Sequence, residues 1–188
     1  MRSASMSHRS ARLAWGLSGL LVLLTAGGCG KGHEDRFNQA AKESGVETAG
    51  VAPLAGTVTI DGNPPALEGA RAVFVVLNDV SKPNEPLEQR LSAQCDEHGK
   101  FEFSSFSRGD GVLPGTYIIT IAMLKVGGRG YVGPDQLKNL YNNPEVNAQN
   151  PEFKIVHKPP GKKDYAVDLT VAGKEPAQPG KYSVLFMN

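Results

Sequence analysis

PGTYIITIAML, Pro114 to Leu124, decides the fold. Pro114-Gly115 sets a turn, because proline fixes φ and glycine accepts positive φ. Behind it Tyr117, Ile119, Ile121 and Met123 recur with period two, the spacing of a strand that buries one face. The same pattern extends in both directions. Upstream, Gly56 to Asp61 (GTVTID) alternates Val58 and Ile60 with threonines, and Asp61-Gly62 ends it as a hairpin turn. Ala72 to Leu77 (AVFVVL) is apolar on both faces and reads as a central strand. Leu87 to Cys95 reads as another. Asp96 to Gly99 is a tight turn, followed by Lys100 to Phe103 with Phe101 and Phe103 facing inward. Downstream, Phe153 to Val156 and Tyr165 to Val171 return to strand, and Lys181 to Met187 reads as a last, weaker one.

Between these lies Gly127 to Pro151, with five Asn, three Pro and four Gly. So long a connection is unusual in a compact domain. Leu137 to Tyr141 reads as a short helix inside it. Its two tyrosines, Tyr131 and Tyr141, are the candidate partner contacts, against the alternative that the loop only packs over the sheet. About seven short strands punctuated by turns, with no long helix, predict an all-β chain folded as an antiparallel β-sandwich.

The N-terminal part has a different composition. Arg2, Arg9 and Arg12 precede an apolar run from Leu13 to Ala26, and no acid falls in the first 28 residues. Fourteen residues are too few for a helix that crosses a bilayer, which needs about 20. They suit the apolar core of a signal peptide, and Ala26, Gly27 and Gly28 then lead into Cys29. That arrangement resembles a bacterial lipoprotein signal. It implies lipidation of Cys29 and a membrane partner held through the acyl chains. Residues 1–28 are then the signal, 29–51 the lipidated cysteine with a polar tether, 52–172 the sandwich and 173–188 an extension. Gly30 after the cysteine favours the outer membrane, with the domain in the periplasm or outside.

Cleavage there would remove three cations and no acid, leaving 17 Lys and Arg against 19 Asp and Glu, and would also remove Trp15, the sole tryptophan. Without a clustered basic face there is no footprint for nucleic acid. With Cys29 taken by lipid, Cys95 would be the one free cysteine, so it has no internal disulfide partner and reads as a small buried apolar residue.

Three pieces in order resemble one family. They are GTVTIDGNP (Gly56 to Pro64), DEHGKFEF (Asp96 to Phe103) and GDGVLPGTYIITI (Gly109 to Ile121). Together they resemble the carboxypeptidase-regulatory-like domain, a transthyretin-like (prealbumin-like) β-sandwich. With the cysteine signal and the later Tyr141-Asn142-Asn143-Pro144 segment, the chain resembles lipoproteins abundant in planctomycete bacteria. The resemblance covers roughly residues 52–172 and implies a non-catalytic accessory module. An internal Lys–Asn amide bond occurs in related sandwiches, but the first strand here has no lysine.

The residues themselves offer no catalytic set. His8, His33, His98 and His157 have no metal-ligand spacing. Asp61, Asp96, Glu97 and Asp110 sit in turns that could gather at one end of the sandwich, as calcium ligands would, but the spacing of a calcium loop is missing. Gly127 to Gly130 is glycine-rich without a following helix to receive a phosphate, and Ser104, Ser105 and Ser107 lack a His and Asp context. The expectation is a membrane-anchored lipoprotein of the cell envelope, not an enzyme and without metal or cofactor. It would carry a binding or structural sandwich with an envelope protein or glycan as partner. The alternative is a carbohydrate- or peptidoglycan-binding surface protein using exposed aromatic rings.

Overall fold

The computed structural model describes residues 50–127 and 132–178. Cys29, Tyr131, the signal, the tether as far as residue 49, and the expected strand Lys181 to Met187 lie outside them. The described residues form an all-β sandwich with seven strands: β1 (Leu54–Ile60), β2 (Arg71–Asp79), β3 (Ser92–Gln94), β4 (Lys100–Glu102), β5 (Gly115–Lys125), β6 (Lys154–His157) and β7 (Lys162–Leu169). One sheet has the order β4-β1-β7, the other β3-β2-β5-β6. Every pair is antiparallel except β1 with β7, the first strand with the last, which run parallel.

Alternation decides what each strand buries. Leu54 and Val58 of β1, and Tyr165, Val167 and Leu169 of β7, face inward. Tyr117, Ile119 and Ile121 face them from β5, with Val73, Val75 and Leu77 from β2, in one continuous core. The two-sided apolar pattern of β2 has its own cause. The outer face of the larger sheet carries a second cluster of Val76, Ala122 and Leu124, covered by Leu87 and Val132.

Gly56 is required by this packing. It pairs between Phe101 of β4 and Tyr165 of β7, whose rings meet edge to face at 6.3 Å. A Cβ at Gly56 would collide with the Phe101 ring and the Tyr165 carbonyl.

Two sequence expectations change. Leu87 to Cys95 is a strand only at Ser92–Gln94; its first part is a 3-10 turn, Leu87–Gln89, that drops Leu87 onto the outer face of the sheet. Leu137 to Tyr141 is not a helix. Lys138 and Asn139 have φ of 58° and 61°, which no α-helix accommodates. The helical turn of this region is α1 (Pro144–Asn147), capped by the Asn143 side chain, which accepts from the Glu145 and Val146 amides.

Candidate functional site

Strand β5 is longer than its neighbour β6, which pairs only with Gly115 to Ile118. Beyond Ile118 the edge of β5 is left without a strand, and the long loop fills that role. The Gly133 amide donates to the Lys125 carbonyl at 2.8 Å and the Gln136 amide to the Met123 carbonyl at 2.7 Å. The Met123 amide donates to Asp135 Oδ1 at 3.0 Å, and the Ile121 amide to the Tyr141 carbonyl at 2.8 Å. Asn147 Nδ2 donates to the Ile119 carbonyl at 2.8 Å and to the Tyr141 carbonyl at 2.9 Å. The loop thus completes an edge with mixed main-chain and side-chain bonds, which protects the edge as a covering segment does.

Asp135 organises it. The carboxylate is buried and accepts from the amides of Met123, Leu137 and Asn139 and from Asn142 Nδ2. Burial pushes its pKa above the usual carboxylate value, and those donors pull it back. Asn142 is fully buried, with Nδ2 shared between Asp135 at 3.2 Å and Asn139 Oδ1 at 2.9 Å. Its own Oδ1 is the one buried side-chain N or O among the described residues that lacks a partner.

Tyr141 is therefore misplaced as a partner contact. It is 8% exposed, its ring packs 5.7 Å from Phe153, and its hydroxyl donates to the Thr170 carbonyl at 2.7 Å. Lys174 stands 5.7 Å above the ring. The signal for this was present in the sequence: Leu137, Leu140 and Tyr141 are the apolar residues of an otherwise polar stretch, and all three join the core. Tyr131 lies outside the described residues.

The four turn acids do not gather as ligands; each holds a turn or stays exposed. Asp61 accepts from the Val171 and Ala172 amides, and Asp96 from those of His98 and Lys100. Asp110 accepts from the amides of Ser105, Phe106 and Ser107. Glu97 is exposed beside His98, at 3.7 Å. Among the described residues there is no group of three His, Cys, Asp or Glu placed to hold a metal. His157 is buried with Nε2 3.0 Å from the Ala52 carbonyl, a packing role. Cys95 is buried, and desolvation, followed by the nearby Asp96 charge, raises its thiol to about 12, so it is not a nucleophile at neutral pH.

The described residues form several surface depressions, two of them of about 570 and 540 Å³. The first is a furrow of about 570 Å³ on the outer face of the smaller sheet. Its floor is Ala55 and Thr57, small outward residues of β1, and its walls carry the cations Lys100, Arg108 and Lys163 and the acids Asp96 and Glu102. The ion pairs among the described residues are Lys82 with Glu85 and His98 with Glu97, so the three furrow cations are in none. The second, about 540 Å³, lies on the outer face of the larger sheet between the β2–β3 connection and α1. Its floor is structural: Arg90 donates to the Glu85 carbonyl through Nε at 2.9 Å and to Asn78 Oδ1, while Asn78 Nδ2 donates to the Ile118 carbonyl at 2.8 Å.

Fold and surface together define a small β-sandwich with one covered sheet edge and a shallow furrow bordered by three cations and two acids. Comparison with protein-family models, curated proteins and solved structures finds no match to the chain.

Proposed function

We propose that this chain is a lipid-anchored lipoprotein of the cell envelope whose sandwich is a non-catalytic binding or structural module. The observation that carries it is Cys29, preceded by three arginines, a 14-residue apolar run and the small residues Ala26, Gly27 and Gly28. Several acyl chains on one cysteine give durable attachment, since each buried methylene contributes about 0.8 kcal/mol. No helix among the described residues is long and apolar enough to cross a membrane. The three ordered turn-and-strand pieces support the accessory-module resemblance. Metabolic labelling with an alkyne fatty acid, followed by membrane fractionation, tests the anchor. Wild-type chain takes the label and sediments with membranes; Cys29→Ala does neither. An unlabelled, soluble wild-type chain would overturn the proposal.

A second role, binding of an acidic glycan, is favoured by the furrow cations Lys100, Arg108 and Lys163. It replaces the aromatic-stacking version, because Phe106 is the one described aromatic more than a third exposed. Retention on an acidic polysaccharide, weakened in Lys100→Gln/Arg108→Gln/Lys163→Gln, is its test.

A further inference from the structure

The chain enters the sandwich at one end, and exposed apolar side chains gather there. Gly50 lies against the Pro114 ring. Ala52 and Val112 exchange amide-to-carbonyl bonds at 3.0 and 2.9 Å, and the Lys162 amide donates to the Pro53 carbonyl at 2.8 Å. Residues 50–53 are thus held between two loops, Ser104 to Gly111 and Lys158 to Gly161. A third connection starts beside them: the Val80 amide donates to the Thr116 carbonyl at 3.0 Å, one residue from the Gly115–His157 pair.

Five large apolar residues are exposed among the described residues: Val80, Phe106, Val126, Val146 and Val156. Val80 and Phe106 lie in these loops, and Val156 stands beside them, opposite Thr116 in the β5–β6 ladder. Of the five, Val126 lies at the opposite end, where β5 finishes. Arg108 shares the loop of Phe106, and Lys158 and Lys162 flank the turn after His157; all three are exposed. They stand outside the ion pairs of the described residues, with Lys162 Nζ 5.5 Å from the centre of the Tyr165 ring. Nearby, Asp79 accepts from the Ser81 amide, Asp110 accepts from three loop amides, and Glu85 pairs with Lys82. Glu102 and Asp164 are exposed, so charge alone does not name the partner.

Position names it. Twenty residues, 30–49, lie between Cys29 and Gly50. They reach at most about 70 Å. Strand β5, eleven residues long, spans about 37 Å. The link alone therefore lets either end of the sandwich meet a bilayer that holds Cys29. Apolar side chains bordered by long cations favour the end at Gly50. Phenylalanine and valine enter the boundary between headgroups and acyl chains, while lysine and arginine keep their charges among the headgroups. A covalent link makes the encounter intramolecular, so contacts too weak to hold a free protein suffice.

We propose, resting on the lipid anchor at Cys29, that this end of the sandwich is a lipid-contact surface. Val80, Phe106 and Val156 settle into the headgroup boundary, with Arg108, Lys158 and Lys162 against anionic headgroups.

Fluorescence quenching by brominated acyl chains tests this on the full chain, purified from membranes and reconstituted in vesicles of phosphatidylcholine with phosphatidylglycerol. Trp15→Phe in every chain leaves the introduced ring as the sole tryptophan. Phe106→Trp, and separately Val80→Trp, are quenched at least about twofold, as rings lying about 5–10 Å into the headgroup boundary are. Val126→Trp is not. Adding Lys158→Gln/Lys162→Gln to Phe106→Trp weakens the quenching, and so does omitting phosphatidylglycerol. Equal quenching in Phe106→Trp and Val126→Trp, or none in either Phe106→Trp or Val80→Trp, in a chain that floats with the vesicles would overturn the lipid-contact surface and leave the anchor standing. A chain that takes no fatty-acid label and does not float would overturn the anchor, and the surface with it.

Discussion

Asp135 shows how one side chain can hold an irregular segment in a fixed shape. Four donors converge on it from two elements, so no turn of the loop between Gly133 and Asn142 is independent of it. Asp135→Asn replaces one acceptor oxygen by a donor facing N–H groups and should cost about 2 kcal/mol, read from urea unfolding at pH 7. The pH dependence has a definite sign. Because burial raises this carboxyl in the folded state, the folded protein takes up the proton first as pH falls. The unfolded chain binds fewer protons in that interval, so this group's contribution to stability increases as pH falls from the folded pKa to the unfolded one. Asp168 works the other way. The Thr59 hydroxyl and then the Gly62 amide lower its pKa, so its contribution is present above the unfolded pKa and is lost as pH falls through the folded one. Subtracting the Asp135→Asn profile from wild type should leave a stability difference that grows in acid, between the folded and the unfolded pKa. A difference that shrinks there would reverse the assignment. Cys95 offers a simpler check: with its thiol raised to about 12, native protein at pH 8 should resist iodoacetamide, and urea should expose it.

At the scale of elements, the regular strands were legible because a half-buried strand writes its burial into a period of two. Tyr165, Val167 and Leu169 did so, whereas β5 is buried on both faces from Tyr117 to Ala122 and its alternation shows only in residue type. The parallel β1–β7 pair was not legible, because alternation states which face is buried and not which neighbour lies alongside. The covering loop failed for another reason. Leu137, Leu140 and Tyr141 have helical spacing, but Asp135 accepts from the Leu137 and Asn139 amides and stabilises a turn in which Lys138 and Asn139 adopt positive φ. Bonds from side chain to main chain compete with the helix, and asparagine tolerates the left-handed region better than most residues. The furrow was missed because its cations, Lys100, Arg108 and Lys163, are far apart in sequence and meet only across the sheet. Asn147 carries the clearest element-scale prediction. Its amide satisfies the Ile119 and Tyr141 carbonyls together. Asn147→Ala should cost about 2–3 kcal/mol and release the Ile121 amide to faster exchange, whereas loss of an exposed helical residue would cost a few tenths.

For the molecule as a whole, the important fact is that the covering loop belongs to the same core as the sheets. Leu137 is fully buried in the cluster that includes Ile121 of one sheet and Leu169 of the other. A loop held only by surface bonds would open on its own and could reach a partner. One whose leucine sits in the shared core moves only when the sandwich does. Leu137→Ala should therefore cost about 2–5 kcal/mol. It should lower a single unfolding transition on which far-ultraviolet circular dichroism and tyrosine fluorescence coincide. A separate early transition, with the strands still intact, would show the loop to be an independent unit and would restore it as a candidate contact surface.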